Sequence, residues 1–138
     1  VKNLGYTPRV ALLSFSNFGN PIRPSSKNIR EAVNILIERE VDFEFDGEMT
    51  AEVALDHNLI KENYPFCRLS DSANVLIMPG LLSANISFKL LQSLGGGSVL
   101  GPLMIGGEKP FQIVQMGSSV SDIVNSASIA AYNAIYSK

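Results

Sequence analysis

The sequence predicts an α/β domain, a three-layer α/β/α sandwich built on a mainly parallel sheet. Two short apolar runs, at 8–15 and 74–78, have the composition of strands that are buried on both faces. Each run is followed by a stretch with helical apolar periodicity, at 25–40 and 83–94. Strands and helices that alternate at this spacing are typical of a parallel sheet covered by helices on both faces.

The first half of the chain contains the clearest helix. Pro8–Phe15 is the first predicted strand, and it ends in a polar loop that begins at Ser16. The helix over 25–40 carries apolar residues at i, i+3, i+4, i+7 and i+8: Ile29, Ala32, Val33, Leu36 and Ile37. Val41–Phe45 alternates apolar and acidic residues, which predicts a half-exposed strand closed by a turn at Asp46–Glu48. We expect a short helix over 50–55 and a surface connection over 56–72.

The stretch from Asn74 to Gly106 predicts one β-α-β unit. Its first strand, Asn74–Met78, ends at Pro79-Gly80, and Ser83 is placed to cap the following helix. Gly95–Gly97 ends that helix, and Ser98–Pro102 starts the second strand. The polar turn 79–85 therefore lies at the carboxyl end of a strand, where open α/β sheets bind their ligands.

The last part of the chain predicts one more strand and one more helix. Phe111–Gln115 is the strand candidate, and Ser119 with Asp122 forms a capping box that opens the helix. Small and branched residues then form a stripe: Val120, Ile123, Val124, Ala127, Ala130, Ala131, Ala134 and Ile135. Because alanines allow a close approach, we expect this stripe to pack against a helix of the same chain or of another.

Composition narrows the class of protein. The 138 residues carry a net charge of −2 with no stripe of Lys or Arg, which argues against a nucleic-acid partner. No apolar run approaches the roughly 20 residues of a membrane span, so we expect no membrane contact. Cys67 stands alone, which excludes a disulfide framework and fits a reducing cytoplasm. Since the chain begins at Val1 and not at Met, we expect it to be a piece of a longer protein.

The residues alone identify no catalytic set and no metal site. His57 is the only histidine and has no partner motif. Asp46 and Glu48 flank a glycine and could serve acid–base chemistry or hold a cation, or they could simply form a turn. The glycine clusters follow a helix instead of preceding one, unlike phosphate-binding loops. Cys67 has no basic neighbour in the sequence and is expected to be unreactive.

Four blocks in a fixed order resemble a known family. They are PRVALLSFSNFG, VDFEFDGEMTAEVAL, ANVLIMPGLLSANISFKLLQSLGGGSVLGPLMIG and KPFQIVQMGSSVSDIVNSASIAAY. Together they resemble the C-terminal part of phosphate acetyl/butyryltransferases and, more closely, the phosphotransacetylase-like domain fused to bacterial NADP-dependent malic enzymes. The resemblance implies the phosphotransacetylase-like fold, similar to isocitrate and isopropylmalate dehydrogenases. It further implies that about 1–101 form the second subdomain and about 102–138 return to the first.

The resemblance also implies a site. Phosphotransacetylases move an acetyl group between coenzyme A and phosphate in a cleft between two subdomains, usually as dimers. Asp122 falls on an aspartate that the family uses in catalysis. The implied ligand-binding residues lie in four polar segments: Ser14, Ser16, Asn17, Gly19, Asp46, Ser83, Asn85, Gln115, Gly117 and Ser118. The resemblance implies no metal site in this chain.

The sequence also departs from the family pattern. Gln115-Met116 replaces a Ser-Arg pair, the loop 16–19 lacks the family's lysine, and Gly80 replaces an aspartate. Because acetyl transfer to phosphate needs fixed positive charge, these changes predict a domain that binds ligand without useful turnover.

We therefore expect a regulatory and assembly domain that senses acetyl-CoA or acetyl phosphate in a cytoplasmic homo-oligomer. The parent would convert malate to pyruvate and CO2, with NADP and a divalent metal bound elsewhere. Two alternatives remain open at this point. One is an active phosphate acetyltransferase, and the other is a purely structural dimerisation domain that uses Ala130 and Ala134 of the last helix.

Overall fold

The computed structural model describes residues 1–95, 97 and 99–136. Its strands and helices are β1 (Arg9–Leu13), α1 (Lys27–Glu38), β2 (Glu44–Met49), α2 (Ala51–Leu55), α3 (His57–Asn63), β3 (Val75–Ile77), α4 (Leu81–Leu94) and α5 (Val120–Tyr136). Short 3-10 turns lie at Lys2–Leu4 and Pro24–Ser26. The chain divides into two compact units, Val1–Phe88 and a second that begins at Lys89.

The first unit is a three-layer sandwich. Its parallel sheet has the strand order β2-β1-β3. One face of the sheet packs on α1 through a core of four buried residues: Val10, Leu12, Val33 and Phe45. The other face packs on α2 and α3 through a second core: Ala11, Leu13, Met49, Val53, Ala54, Ile60, Leu69 and Ala73. The alternation along β1 thus supplies both cores, and the predicted α/β class is confirmed.

The position of β2 corrects the sequence prediction. The strand was expected over Val41–Phe45 with a turn at Asp46–Glu48, but it runs from Glu44 to Met49 and contains that tripeptide. Asp46 and Glu48 are 3% and 0% exposed. Polar residues after an apolar run predict an exposed turn because such side chains are usually hydrogen-bonded to water. Here hydrogen bonds inside the fold engage both oxygens of Asp46 and the Oε1 atom of Glu48, so the strand continues through the two carboxylates.

Gly47 is required where β2 passes β1. The pairing register shifts after Leu12, which lies opposite Gly47, while Leu13 lies opposite Met49. A Cβ atom added at Gly47 would lie 2.6 Å from the Leu12 carbonyl oxygen and 2.9 Å from its Cβ, at a φ of +154°. The space and the backbone conformation at this position both exclude a side chain.

Gly47→Ala is therefore expected to lower the free energy of unfolding by about 1–3 kcal/mol, because the strand must shift to admit the methyl group. Urea denaturation followed by circular dichroism measures this change. Gly80→Ala is the matched control, since its added Cβ meets no atom within 4 Å. A loss at Gly47 no larger than that of the control would contradict the steric interpretation.

Helix α3 lies within the segment that was predicted to be a surface connection. Asp56 caps it, since its Oδ1 accepts hydrogen bonds from the backbone N–H groups of Asn58 (2.9 Å) and Leu59 (3.1 Å). Ile60 is 3% and Leu69 4% exposed, so the segment contributes to the core. Scattered charges around these few apolar residues concealed both the helix and its buried face.

Helix α4 begins at Leu81, upstream of the predicted N-cap Ser83. Ser83 lies in its first turn, where the hydroxyl donates to the Gly80 carbonyl at 2.8 Å, so Ser83 is not the N-cap. The helix ends at Leu94, as the glycines predicted, and a Cβ at Gly95 would lie 2.5 Å from the Leu91 carbonyl oxygen. Gly96 and Ser98 lie outside the described residues.

The described part of the second unit consists of the end of α4, of α5, and of segments that belong to no helix or strand. Among its described residues, neither the predicted run 98–102 nor Phe111–Gln115 forms a strand. The Gln112 amide instead bonds to the backbone of Met104, with its Oε1 accepting from the N–H at 3.0 Å and its Nε2 donating to the carbonyl at 3.2 Å. The second strand of the predicted β-α-β unit is thus absent from the described part of the chain. The backbone of these segments forms no hydrogen-bonded ladder with a neighbouring strand there.

No helix in the described part of the chain has both the length and the apolar character needed to cross a membrane.

Candidate functional site

Four of the predicted ligand-binding residues lie in the loop that follows β1 in the first unit, and this loop is bonded to the end of β2. The backbone N–H of Ser14 donates to the Met49 carbonyl at 2.9 Å. The Ser16 hydroxyl donates to Glu48 Oε1 at 2.6 Å, and Asn17 Oδ1 accepts from the Thr50 N–H at 2.7 Å. Gly19, at a φ of +86°, closes the loop's turn. These polar groups therefore hold the loop onto β2.

Asp46 is also committed to the fold. Its Oδ2 accepts from the backbone N–H of Arg68 at 2.7 Å and its Oδ1 from that of Gly47 at 2.9 Å. Ser83 and Asn85 lie in α4, where Ser83 is half-buried and Asn85 exposed. In the described residues we find no hydrogen bond that joins either of them to the loop after β1. Asp46, Ser16 and Asn17 thus each form hydrogen bonds that stabilise the fold around β2.

Sequence reasoning missed two arginines beside this loop. Arg30 of α1 donates from Nη1 to Glu48 Oε1 at 3.1 Å and to the hydroxyl of buried Ser26 at 2.7 Å. Arg68 lies within the segment 56–72 that was predicted to be a surface connection, and its Cζ atom is 5.4 Å from the centre of the Phe45 ring. An arginine beside the apolar stripe of a helix is ordinarily solvated. The one signal in the sequence was the four-residue spacing of Ser26 and Arg30, which allows their side chains to interact.

Two other side chains that the sequence singled out show no catalytic arrangement. Burial raises the pKa of the Cys67 thiol, and the nearby Asp46 carboxylate raises it further, which disfavours the reactive thiolate. His57 Nδ1 is buried without a hydrogen bond, 3.8 Å from an oxygen of Asp71. In the described part of the chain, no three His, Cys, Asp or Glu side chains are grouped closely enough to hold a metal ion.

The second unit brings the remaining predicted site residues together. Gln115, Gly117, Ser118 and Asp122 all line one cavity of about 200 Å³. The Ser118 N–H donates to the Gln115 carbonyl at 3.0 Å and so forms the turn that leads into α5. None of the described lining residues is Lys or Arg, and Asp122 is the only charged one. This cavity therefore presents hydroxyl, amide and carboxylate groups, but no fixed positive charge.

Asp122 caps α5 as predicted. Its Oδ2 accepts from the backbone N–H of Ser119 at 2.9 Å and from the Ser119 hydroxyl at 2.8 Å, and the Asp122 N–H donates to the Ser119 hydroxyl oxygen at 3.2 Å. Within the described part of the chain, both hydrogen bonds that the carboxylate accepts fall on Oδ2, which leaves Oδ1 for other contacts. The bonds to the Ser119 hydroxyl and N–H lower the pKa of Asp122 below 3.8.

This cap has a defined pH dependence. Because the pKa of Asp122 is lower in the folded state, its contribution to stability is complete above the ordinary value of 3.8 and is lost as the pH falls through the folded pKa. Ser119→Ala is expected to raise the Asp122 pKa back toward 3.8, since the hydroxyl is the largest cause of the shift. NMR titration of the side-chain carboxyl resonance measures it, with Ser121→Ala as the control. An unchanged pKa in Ser119→Ala would show that the capping bond does not form in solution.

Comparison with known proteins agrees with the observed fold. The sequence profile of the family described as phosphate acetyl/butaryl transferase matches residues 1–131. A phosphotransacetylase structure from Streptococcus pyogenes superposes with a TM-score of 0.88 at 34% identity, covering 97% of this chain and 41% of that one. A phosphotransacetylase from Staphylococcus aureus gives 0.86 at 31% identity, covering 96% and 42%.

Similar sequences occur in two kinds of protein. The chain is 58% identical over 133 residues to an NADP-dependent malic enzyme of Rhizobium meliloti, covering 96% of this chain and 17% of that enzyme. It is 40% identical over 129 residues to a phosphate acetyltransferase of Treponema pallidum, covering 91% and 38%. The chain thus spans less than half the length of these relatives. It belongs to the phosphate acetyl/butaryl transferase family, as a domain of the kind that NADP-dependent malic enzymes also carry.

Proposed function

We propose that this domain binds acetyl-CoA or acetyl phosphate without transferring the acetyl group, and that it thereby regulates an NADP-dependent malic enzyme. One observation carries the proposal. The cavity that Gln115, Gly117, Ser118 and Asp122 share has no cation among its described lining residues.

Catalysis needs that missing charge more than binding does. When phosphate attacks the thioester, negative charge develops on the acetyl carbonyl oxygen beside the anionic phosphate, so fixed cations stabilise the transition state more than the ground state. Losing one such donor costs roughly 100- to 1,000-fold in rate. Backbone N–H groups and hydroxyls, such as that of Ser118, can still hold a ligand. The open Oδ1 of Asp122 would face such a ligand without a cationic partner for the phosphate.

The parent's chemistry lies outside this chain. The high identity to a malic enzyme supports a parent that oxidises malate to pyruvate and CO2 with NADP and a divalent metal. Those groups would be bound by other domains of the parent. We further propose a cytoplasmic homo-oligomer, in which α5 contributes contacts between copies.

An active acetyltransferase is a second candidate. Asp122 occupies the family position with one carboxylate oxygen open, and a relative that is 40% identical is named phosphate acetyltransferase. The two functions differ in a single measurable property, which is turnover.

The test uses the full-length protein. We expect acetyl-CoA to bind in isothermal titration calorimetry, while acetyl-CoA formation from acetyl phosphate and coenzyme A stays at least about 1,000-fold below that of a phosphotransacetylase with the Ser-Arg pair. Asp122→Asn, whose amide oxygen can still cap α5, should leave this background unchanged. Substantial turnover that Asp122→Asn abolishes would establish the acetyltransferase, and an absence of binding would refute sensing.

A further inference from the structure

The first unit contains a second cavity, separate from the residues that carry the proposed function. It has a volume of about 310 Å³, and we call it the arginine cavity. Its lining residues come from the loop after β1, from α1, from β2 and from the segment after α3: Phe18, Arg30, Val33, Asn34, Asp46, Gly47, Glu48, Phe66 and Arg68. The volume lies at the lower end of the range for small-molecule sites.

Two guanidinium groups face this cavity with unused donors. The Arg30 side chain is 33% exposed, and among the described residues only its Nη1 donates to protein acceptors. The Arg68 side chain is 46% exposed, and its only ion pair in the described residues is a long one, 3.9 Å from Nη2 to Asp46 Oδ1. Because a guanidinium carries five N–H donors, both side chains can still bind an anion.

Two acidic residues lie beneath the arginines. The Glu48 and Asp46 side chains are 0% and 5% exposed. Their oxygens are occupied by Ser16, Arg30 and backbone N–H groups, apart from Glu48 Oε2. The carboxylates therefore orient the guanidinium groups from below, and a ligand that enters from solvent meets the cationic side of each pair.

An aromatic surface adjoins the arginines. Phe66 is 64% exposed and is held edge-on against Phe18, with the ring centres 4.9 Å apart. Phe18 is supported in turn by Tyr64, 5.1 Å away. An exposed ring that its neighbours hold in place is suited to stacking against a flat heterocycle.

We propose that the arginine cavity binds a nucleotide, with Arg30 and Arg68 holding its phosphate groups and Phe66 stacking on its base. Cations for phosphate and an aromatic face for a base, within one cavity, are the pair of features that a nucleotide requires. The nucleotide is either free or the nucleotide end of coenzyme A, since both present the same chemical groups.

Calorimetry on the full-length protein tests this, with ADP, inorganic pyrophosphate and acetyl-CoA as ligands. Arg68→Gln is expected to weaken ADP and pyrophosphate about tenfold, because one charge-assisted contact is lost. Phe66→Leu is expected to weaken ADP severalfold while leaving pyrophosphate unchanged, since pyrophosphate has no base to stack. Arg39→Gln, which removes an exposed arginine outside the cavity, is the matched charge control.

The outcomes separate this site from the proposed function. If Arg68→Gln weakens acetyl-CoA as well as ADP, the site holds the nucleotide end of coenzyme A, and if it weakens ADP alone, the ligand is a free nucleotide. An absence of ADP binding at millimolar concentration, or equal losses in Arg68→Gln and Arg39→Gln, would overturn the site. In that case, acetyl-CoA binding that persists in Arg68→Gln would leave the proposed function intact.

Discussion

Arg30→Met is expected to lower the free energy of unfolding by about 3 kcal/mol, because it leaves the buried Glu48 carboxylate without a cation. Glu48 is fully buried, and its Oε2 has no hydrogen-bond partner in the described part of the chain. Arg30 is its only ion-pair partner among those residues. Since the arginine is one-third exposed, we place the loss at the lower end of the range for buried pairs.

A double-mutant cycle measures this coupling by urea denaturation. Adding Glu48→Gln to Arg30→Met should recover about 1–2 kcal/mol, because the buried charge is then gone while an amide oxygen remains to accept from Ser16. Arg39→Met is the control for removing an exposed arginine from the end of the same helix. If Arg30→Met costs no more than Arg39→Met, or the cycle shows no coupling, the ion pair does not stabilise the domain.

Restoring the missing charge is expected to raise the transferase rate by about 100-fold over the wild type. The double variant Gln115→Ser/Met116→Arg introduces, next to Gly117, the Ser-Arg pair that the resemblance to phosphate acetyltransferases implies at these positions. Met116 is fully exposed, so the arginine introduces no packing conflict. We expect partial recovery, because the lysine that the family carries in the loop after β1 is still replaced by Phe18.

The control separates charge from shape. Gln115→Ser/Met116→Gln changes the same two positions without adding a cation, and its turnover should stay at the wild-type background. Acetyl-CoA formation in the full-length protein provides the measurement. Equal rates in the arginine and glutamine variants would mean that the missing cation is not the cause of low turnover.

The sequence predicted those strands and helices whose apolar residues form a recognisable pattern along the chain. Val10–Leu13 and Val75–Ile77 both lie in the sheet, as their apolar runs predicted. Of these two strands only β1 is covered on both faces, because β3 lies at the edge of the sheet and Ile77 is exposed, so the predicted burial of the second strand was wrong. Helix α1 followed from a stripe centred on Val33. By contrast, β2 continues through Asp46 and Glu48, and only the tertiary partners Ser16, Arg30 and Arg68 explain how two acids are buried there.

The candidate sites were likewise predicted only where the interacting residues are close together in the sequence. The capping box at Ser119 and Asp122 was predicted because its partners are three residues apart in the chain. The arginine cavity was missed because it joins Arg30, Glu48 and Phe66, which are separated by 18 residues or more. The bonds that tie Ser16 and Asn17 to β2 were likewise not predictable from the sequence, because their partners Glu48 and Thr50 lie more than 30 residues away. The ligand-binding role of these two residues stays a prediction.

Malate oxidation by the full-length protein, measured during a titration with acetyl-CoA, tests the regulatory role most directly. We predict a saturable change in rate at submillimolar to millimolar acetyl-CoA, with the acetyl-CoA recovered unconsumed at the end. ADP serves as the control, because it carries the nucleotide without the acyl group. A malate oxidation rate that stays constant across the titration, with no acetyl-CoA bound, would contradict the role proposed for this domain.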